Sequence, residues 1–296
     1  MLPIKRPVLN TVLTPTYTVE TSEGIPPGFT PLSQMKARRR LMIGIDGLAD
    51  TGKTEFALTF PPPICALFID QGYEHVIGRL NPPPARQQDI DYRVFQLPQA
   101  GMSVSGASTQ DDNQKAYKQI WSDFYANYIL AISSPRYRTV LVDGDSETWD
   151  LQRLAAFGKL TQVPPMEYTN VNQARRVLIR RGFDSGKNMA FTYRVGHEYE
   201  STVKLNAAGV PKEVSERTGN YVRKGFADQD YIVQVQLRTQ RRHTEAGTQF
   251  GVEITKCKPD VDLIGMQLWG SDCCYRGIVQ AIYPGANPAD WGLEEL

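Results

Sequence analysis

Apolar residues in this chain gather into short runs separated by turn-forming or polar stretches. The runs at 41–45, 64–69, 137–142 and 188–195 are nearly continuous, the pattern of strands covered on both faces in a parallel sheet. Between them, over 113–132, Tyr117, Ile120, Trp121, Phe124, Tyr125, Tyr128 and Ile129 recur at three- and four-residue intervals. That spacing predicts one amphipathic helix whose aromatic stripe packs on a core. Residues 92–97 predict a short strand, and 55–60 begin a helix that Pro61, Pro62 and Pro63 terminate, because proline cannot continue it. Residues 231–238 alternate apolar with polar, as a half-buried strand does, and 250–258 pair with them across 241–247 as an antiparallel hairpin. Apolar strands alternating with helical patterns predict an α/β fold: a mainly parallel central sheet flanked by helices, closed by a C-terminal antiparallel hairpin.

The first apolar run leads into Gly47-Leu48-Ala49-Asp50-Thr51-Gly52-Lys53-Thr54, which has the Gly-x-x-x-x-Gly-Lys-Thr spacing of a phosphate-binding loop. Glycines let the backbone curl until several N–H groups face one anion. The following helix adds the positive end of its dipole, Lys53 adds a mobile charge, and the Thr54 hydroxyl can hold Mg²⁺. Gly47, Asp50, Thr51, Gly52, Lys53, Thr54 and Glu55 are therefore the expected nucleotide contacts. Asp46 and Asp50 put carboxylates beside a polyanion site, either aimed away from it or helping to place Mg²⁺.

Two later runs end in acid. Residues 64–69 end at Asp70, followed by Glu74, where the carboxyl end of a parallel strand faces the ligand crevice. Asp70 or Glu74 could take a proton from the water attacking a γ-phosphate, and either could equally cap the next helix. Residues 139–142 end at Asp143 and have the form of a Walker B strand, whose aspartate would reach Mg²⁺ through water and complement Thr54. The competing reading is a hairpin turn at Asp143-Gly144; the helical pattern preceding the strand favours a crossover and Walker B. Asp145, Ser146 and Glu147 follow, where a side chain could orient water or sense the γ-phosphate.

Residues 1–34 are rich in Pro, Thr and Ser and read as an extended arm. Lys36, Arg38, Arg39 and Arg40 stand just before the first core strand, either as solvated surface or as a contact for a nucleic-acid backbone. Over 172–183, Arg175, Arg176, Arg180 and Arg181 surround Val177, Leu178 and Ile179, giving a basic helix side that is either solvated or a phosphate-gripping lid. From 196 to 221 the sequence turns polar, and Lys204, Lys212, Arg217, Arg223 and Lys224 lie among Tyr199, Tyr221 and Phe226. Cations on phosphates and aromatics on bases give a sequence-tolerant grip on single strands. Glu198, Glu200, Glu213 and Glu216 dilute that charge, so a plain surface hairpin is the alternative.

The composition is that of an ordinary globular protein: 296 residues, 41% of them hydrophobic, with a formal net charge of +1. That charge gives no global attraction to nucleic acid or membrane, so such contacts must be local. Cys65, Cys257, Cys273 and Cys274 lack metal-binding spacing and point to a reducing compartment. With no membrane-length apolar stretch and no signal-peptide region, the expectation is a cytoplasmic protein without membrane association.

Residues 140–151, Val-Leu-Val-Asp-Gly-Asp-Ser-Glu-Thr-Trp-Asp-Leu, with Phe157-Gly158-Lys159 and Ser185-Gly186-Lys187-Asn188, resemble the phage-encoded RecA-like ATPases that act in single-strand annealing and recombination. Residues 65–70 also resemble the strand that carries the catalytic acid in RecA. The similarity spans roughly 40–270. The division it suggests is an N-terminal arm at 1–38, a RecA-like P-loop ATPase domain at 39–270 and a tail at 271–296.

The resemblance implies slow hydrolysis of Mg·ATP, stimulated by single-stranded DNA, in a homo-oligomeric ring or filament, with a single-strand-binding protein as a further partner. It implies a γ-phosphate sensor among Thr192, Tyr193 and Arg194, and DNA contact from the loop after that strand. It also implies that Lys256 and Lys258 reach the γ-phosphate of a neighbouring subunit; on their own, two lysines on an edge strand are common protection against aggregation. The catalytic set is then Lys53, Glu74, Asp143, Glu147, Lys256 and Lys258, with Thr54 and Asp143 on the metal. Two other readings stand beside this one: a small-molecule P-loop kinase using the basic helix as its lid, and a nucleotide-binding assembly or loader protein without DNA contact.

Overall fold

The computed structural model describes residue 29 and residues 39–69, 72–74, 76, 89–97, 110–205, 211–245 and 247–293. The chain divides into two compact units, Met1–Arg38 and Arg39–Leu296. The arm, Asp70, the proline-rich link at 81–85 and most of the polar loop beyond 97 lie outside the described residues.

Strands β1 (Met42–Gly47), β2 (Ile64–Phe68), β3 (Ile90–Val94), β4 (Thr139–Asp143), β5 (Asn188–Leu205) and β7 (Val235–Thr244) form a parallel sheet in the order β3-β2-β4-β5-β1-β7. Strands β8 (Gly247–Cys257) and β9 (Gln267–Trp269) continue it antiparallel, and β6 (Pro211–Arg223) pairs antiparallel with the outer half of β5. The expected architecture, a mainly parallel sheet flanked by helices with antiparallel strands at the C-terminal end, is what the chain forms. Because β4 lies parallel between β2 and β5, Asp143-Gly144 is a strand-to-helix turn and not a hairpin.

Strand alternation sends side chains to both faces, so the apolar runs are buried twice over. Leu41, Ile43, Ile45 and Leu141 face a core closed by α1 (Lys53–Ala57) and α6 (Tyr275–Ile282). Met42, Val140, Val142, Met189 and Phe191 face a second core, beneath α2 (Gln110–Ser133), α3 (Asp145–Phe157) and α4 (Tyr168–Asp184).

The polar stretch after 195 forms the surface hairpin, the alternative to a DNA-contacting loop: β5, 18 residues in all, runs on to Leu205 and pairs with β6 as an antiparallel arm, and residues 206–210 lie outside the described residues. Two sequence expectations change. The alternating stretch at 231–238 starts inside a short helix, α5 (Gln229–Ile232), and the strand begins only at Val235. The presumed tail is packed: Tyr275, Ile278, Val279, Ile282 and Trp291 are buried in the first core. Among the described residues no helix is long and apolar enough to cross a membrane.

Candidate nucleotide site

β1 delivers the chain to the carboxyl edge of the sheet, where Gly47 to Gly52 make the loop and α1 begins at Lys53. Two glycines are required by geometry. A Cβ on Gly47 would lie 2.1 Å from Thr239 Oγ1, and Gly52 sits at φ +86, a left-handed conformation that favours glycine. The Thr51 hydroxyl donates to Leu48 O at 2.8 Å and lies 2.6 Å from Thr239 Oγ1, so it ties the loop to β7. Asp50 adopts φ 57 at the exposed crest of the loop. α1 is only five residues long, so anion attraction rests on loop N–H groups and Lys53 more than on a long helix dipole. The Lys53 ammonium donates to Gly47 O at 3.1 Å and Leu48 O at 2.6 Å, which holds it over the loop.

The loop opens on a cleft of ≈ 290 Å³. Asp50, Thr51, Gly52, Lys53, Thr54 and Glu55 line its phosphate-loop wall, while Asp143, Glu147, Thr192 and Arg194 line the opposite wall. Thr54 Oγ1 donates to Asp143 Oδ2 at 2.8 Å, and Thr192 Oγ1 donates to Asp143 Oδ1 at 2.5 Å. One buried carboxylate thus collects hydroxyls from the loop helix and from β5. Hard oxygens so grouped fit a small divalent cation such as Mg²⁺, which Thr54 and Asp143 would hold. Asp46 takes no part: it is buried, accepts from Arg238 Nε at 2.7 Å and from Gln236 Nε2 at 3.3 Å, and so faces β7.

The candidate catalytic acids separate. Glu74 is exposed, its carboxylate 3.5 Å from the Tyr73 hydroxyl, and it is not among the cleft-lining residues. Glu147 is 8% exposed, lines the cleft one helical turn beyond Asp143, and is ion-paired to Arg194. Of these two acids, among the described residues, Glu147 lines the cleft and Glu74 does not; Asp70 lies outside the described residues. Glu147→Gln should cut turnover by roughly 10²-fold or more, the usual contribution of a general base, with ATP affinity unchanged. Glu74→Gln should leave turnover within about twofold, so steady-state kinetics of the two variants decide between the acids.

Lys256 and Lys258 lie elsewhere. Lys256 is paired with Gln236 on β7, whereas Thr239 of the same strand stands beside Gly47, so both lysines are at the edge of the sheet away from the loop of their own chain. Lys256 donates to Val233 O at 3.3 Å and Lys258 to Tyr231 O, carbonyls at the end of α5. Burial, and then the charge of Lys258, hold the Lys256 ammonium below the ordinary lysine range.

The basic helix does not reach the cleft either. Arg175 is fully buried in an ion pair with Asp145, while Arg176 and Arg180 border a concavity at the far edge of the sheet. A lid over the phosphates has no support in this arrangement. On the arm, the Arg223 side chain is 8% exposed, pairs with Asp230 at 2.9 Å and lies over the Tyr193 ring at 4.5 Å. Lys204 is ion-paired to Glu216, Arg217 donates to the Tyr199 hydroxyl at 3.1 Å, and Lys212 and Lys224 are exposed. Thr239 and Phe250, which flank the loop, escaped sequence reasoning. Only the parallel pairing of β7 with β1, and the β7–β8 register that follows from it, bring them there.

No protein-family model matches the chain, and no curated protein does. Among solved structures, a KaiC-like protein from the hyperthermophilic archaeon Pyrococcus horikoshii OT3 aligns over 74% of this chain and 80% of its own, with 9% sequence identity and a TM-score of 0.36.

Proposed function

We propose that this chain is a RecA-like ATPase that binds Mg·ATP on the 47–54 loop, hydrolyses it slowly and couples the cycle to single-stranded DNA in a homo-oligomer. The observation that carries the reading is the 2.8 Å bond between Thr54 and Asp143 at the carboxyl edge of a parallel sheet, in a cleft also lined by Lys53 and Glu147. Loop N–H groups receive the phosphate oxygens. Lys53 exchanges its two carbonyl partners for the β- and γ-phosphates, and Glu147 orients the water for in-line attack and accepts its proton. The metal, when bound, neutralises charge on the β- and γ-phosphate oxygens.

β5 links the nucleotide to the arm. Thr192 contacts Asp143 and Arg194 contacts Glu147, while the Ser146 hydroxyl donates to Lys224 O at 2.7 Å and accepts from Arg194 N at 3.0 Å. Lys256 and Lys258, remote from their own cleft, are left to serve a neighbour's γ-phosphate in trans.

The test is ATP turnover with and without an unstructured single-stranded oligonucleotide. DNA should raise turnover roughly 5- to 150-fold, the usual range for coupling between two sites. Turnover indifferent to DNA would leave an ATPase and move the weight to an assembly or loader protein.

A further inference from the structure

The parallel strands begin at the edge of the sheet opposite the phosphate loop, and two adjoining concavities open there. One, of ≈ 510 Å³, lies at the starts of β2, β4 and β5 and is lined by Arg39, Arg40, Arg136, Arg138 and Lys187, with no carboxylate among the described residues of its wall. The other, of ≈ 840 Å³, lies beside the C-terminal half of α4 and carries Arg176, Arg180 and Lys258. Phe183 joins them: the Arg40 guanidinium sits 4.0 Å from its ring centroid, and the ring itself lines the second concavity.

Structural duties account for only part of this charge. Lys187 donates to the carbonyls of Ser134 and Tyr137, and Arg138 to that of Asp290. Such bonds satisfy donors but cancel no charge. Arg136 pairs with Asp91, Arg176 with Asp228, and Arg180 with Asp184 at 3.8 Å. Among the described residues, Arg39, Arg138, Lys187 and Lys258 of these walls carry no ion pair, in a chain whose net charge is only +1. Close cations repel one another, and an anion laid along them relieves that repulsion.

The surface is also aromatic. Tyr231 stands 80% exposed beside Ile232 and Tyr283 in the second concavity. A small anion would engage one concavity. Two joined concavities, with cations along both and aromatic rings between and beyond them, match a flexible polyanion carrying flat apolar groups.

We propose that this edge is a binding track for single-stranded nucleic acid, the phosphodiesters lying along Arg39, Arg138 and Arg180 and a base stacking on Tyr231. The track rests on the reading above that the protein handles single strands, and it places that contact on the edge away from the nucleotide as well as, or instead of, on the β5–β6 arm.

Fluorescence anisotropy of a labelled oligothymidylate, titrated with the full chain at several salt concentrations, tests it. Arg39 and Arg180 are exposed, so Arg39→Ser with Arg180→Ser should lower the salt slope by about 1.4 and the affinity by about tenfold or more. Tyr231→Ala should weaken binding about tenfold while changing the slope little. Lys204→Ser with Lys212→Ser on the arm should have the smaller effect. Unchanged binding of a fluorescent ATP analogue controls for folding.

Wild-type chain that binds the oligonucleotide, with track variants that match it, overturns the track alone. Wild-type chain that binds no oligonucleotide overturns the single-strand reading and the track together. Track variants that alter sedimentation but not oligonucleotide binding make this edge a contact between copies of the chain, and also overturn the track.

Discussion

Lys53→Ala should weaken ATP binding by about 10²- to 10⁴-fold and remove measurable turnover, because two charge-assisted hydrogen bonds to phosphate are worth roughly 1.5–3 kcal/mol each. The ammonium now rests on two loop carbonyls, Gly47 O and Leu48 O. It is therefore held at the mouth of the loop and need move only from carbonyl to phosphate oxygen. Lys53→Arg tests geometry apart from charge: a planar guanidinium cannot occupy the position of a compact ammonium, so charge retention alone should not restore turnover. Isothermal titration with a non-hydrolysable analogue separates loss of binding from loss of chemistry. If Lys53→Ala binds as the wild type does, the 47–54 loop is not the phosphate site.

Arg175→Ala should destabilise the fold by about 3–5 kcal/mol, the usual consequence of leaving one member of a buried ion pair without its partner. In thermal unfolding this is a fall of about 10 °C. Arg175 and Asp145 have side chains 0% and 1% exposed, and Asp145 opens α3 directly after Asp143 and Gly144. The pair thus pins the start of the helix that carries Glu147. Replacing both partners together, Arg175→Met with Asp145→Leu, should recover most of the lost stability, since apolar replacement of a buried pair is often neutral or favourable. A double variant no more stable than Arg175→Ala would show that Asp145 does more than answer Arg175.

Much of the site was legible because its chemistry is local. The glycine spacing, Lys53, Thr54 and the aspartate closing an apolar strand each state their role within a few residues, and a parallel sheet brings the two motifs to one edge. Which of Glu74 and Glu147 lines the cleft was not local. Both follow a strand end, and only the packing of α3 makes one buried and leaves the other exposed. Arg175 could have been found: Arg175, Leu178, Ile179 and Gly182 are the buried positions of α4, a helical stripe with a charge in it, which requires a buried partner. The same spacing in Tyr275, Ile278, Val279 and Ile282 marks a packed helix where a tail was expected. The β5–β6 arm was legible only as one of two readings: Val195, Tyr199 and Val203 alternate with Glu198, Glu200 and Lys204, the pattern of a strand, but the charge around them also suited a DNA-contacting loop.

That arm has a mechanical consequence. β5 begins in the parallel sheet beside β1 and β4, passes Thr192 and Arg194 at the cleft, and leaves the sheet still hydrogen-bonded to β6. Leu205 lies eleven positions beyond Arg194, a span of about 35 Å at the usual rise of a strand. A ribbon of that length would act as a lever if it tilted where it leaves the sheet: about 10° at the cleft would sweep its far end through about 6 Å. On the function proposed above, exchange of a phosphate for water beside Arg194 would supply that tilt.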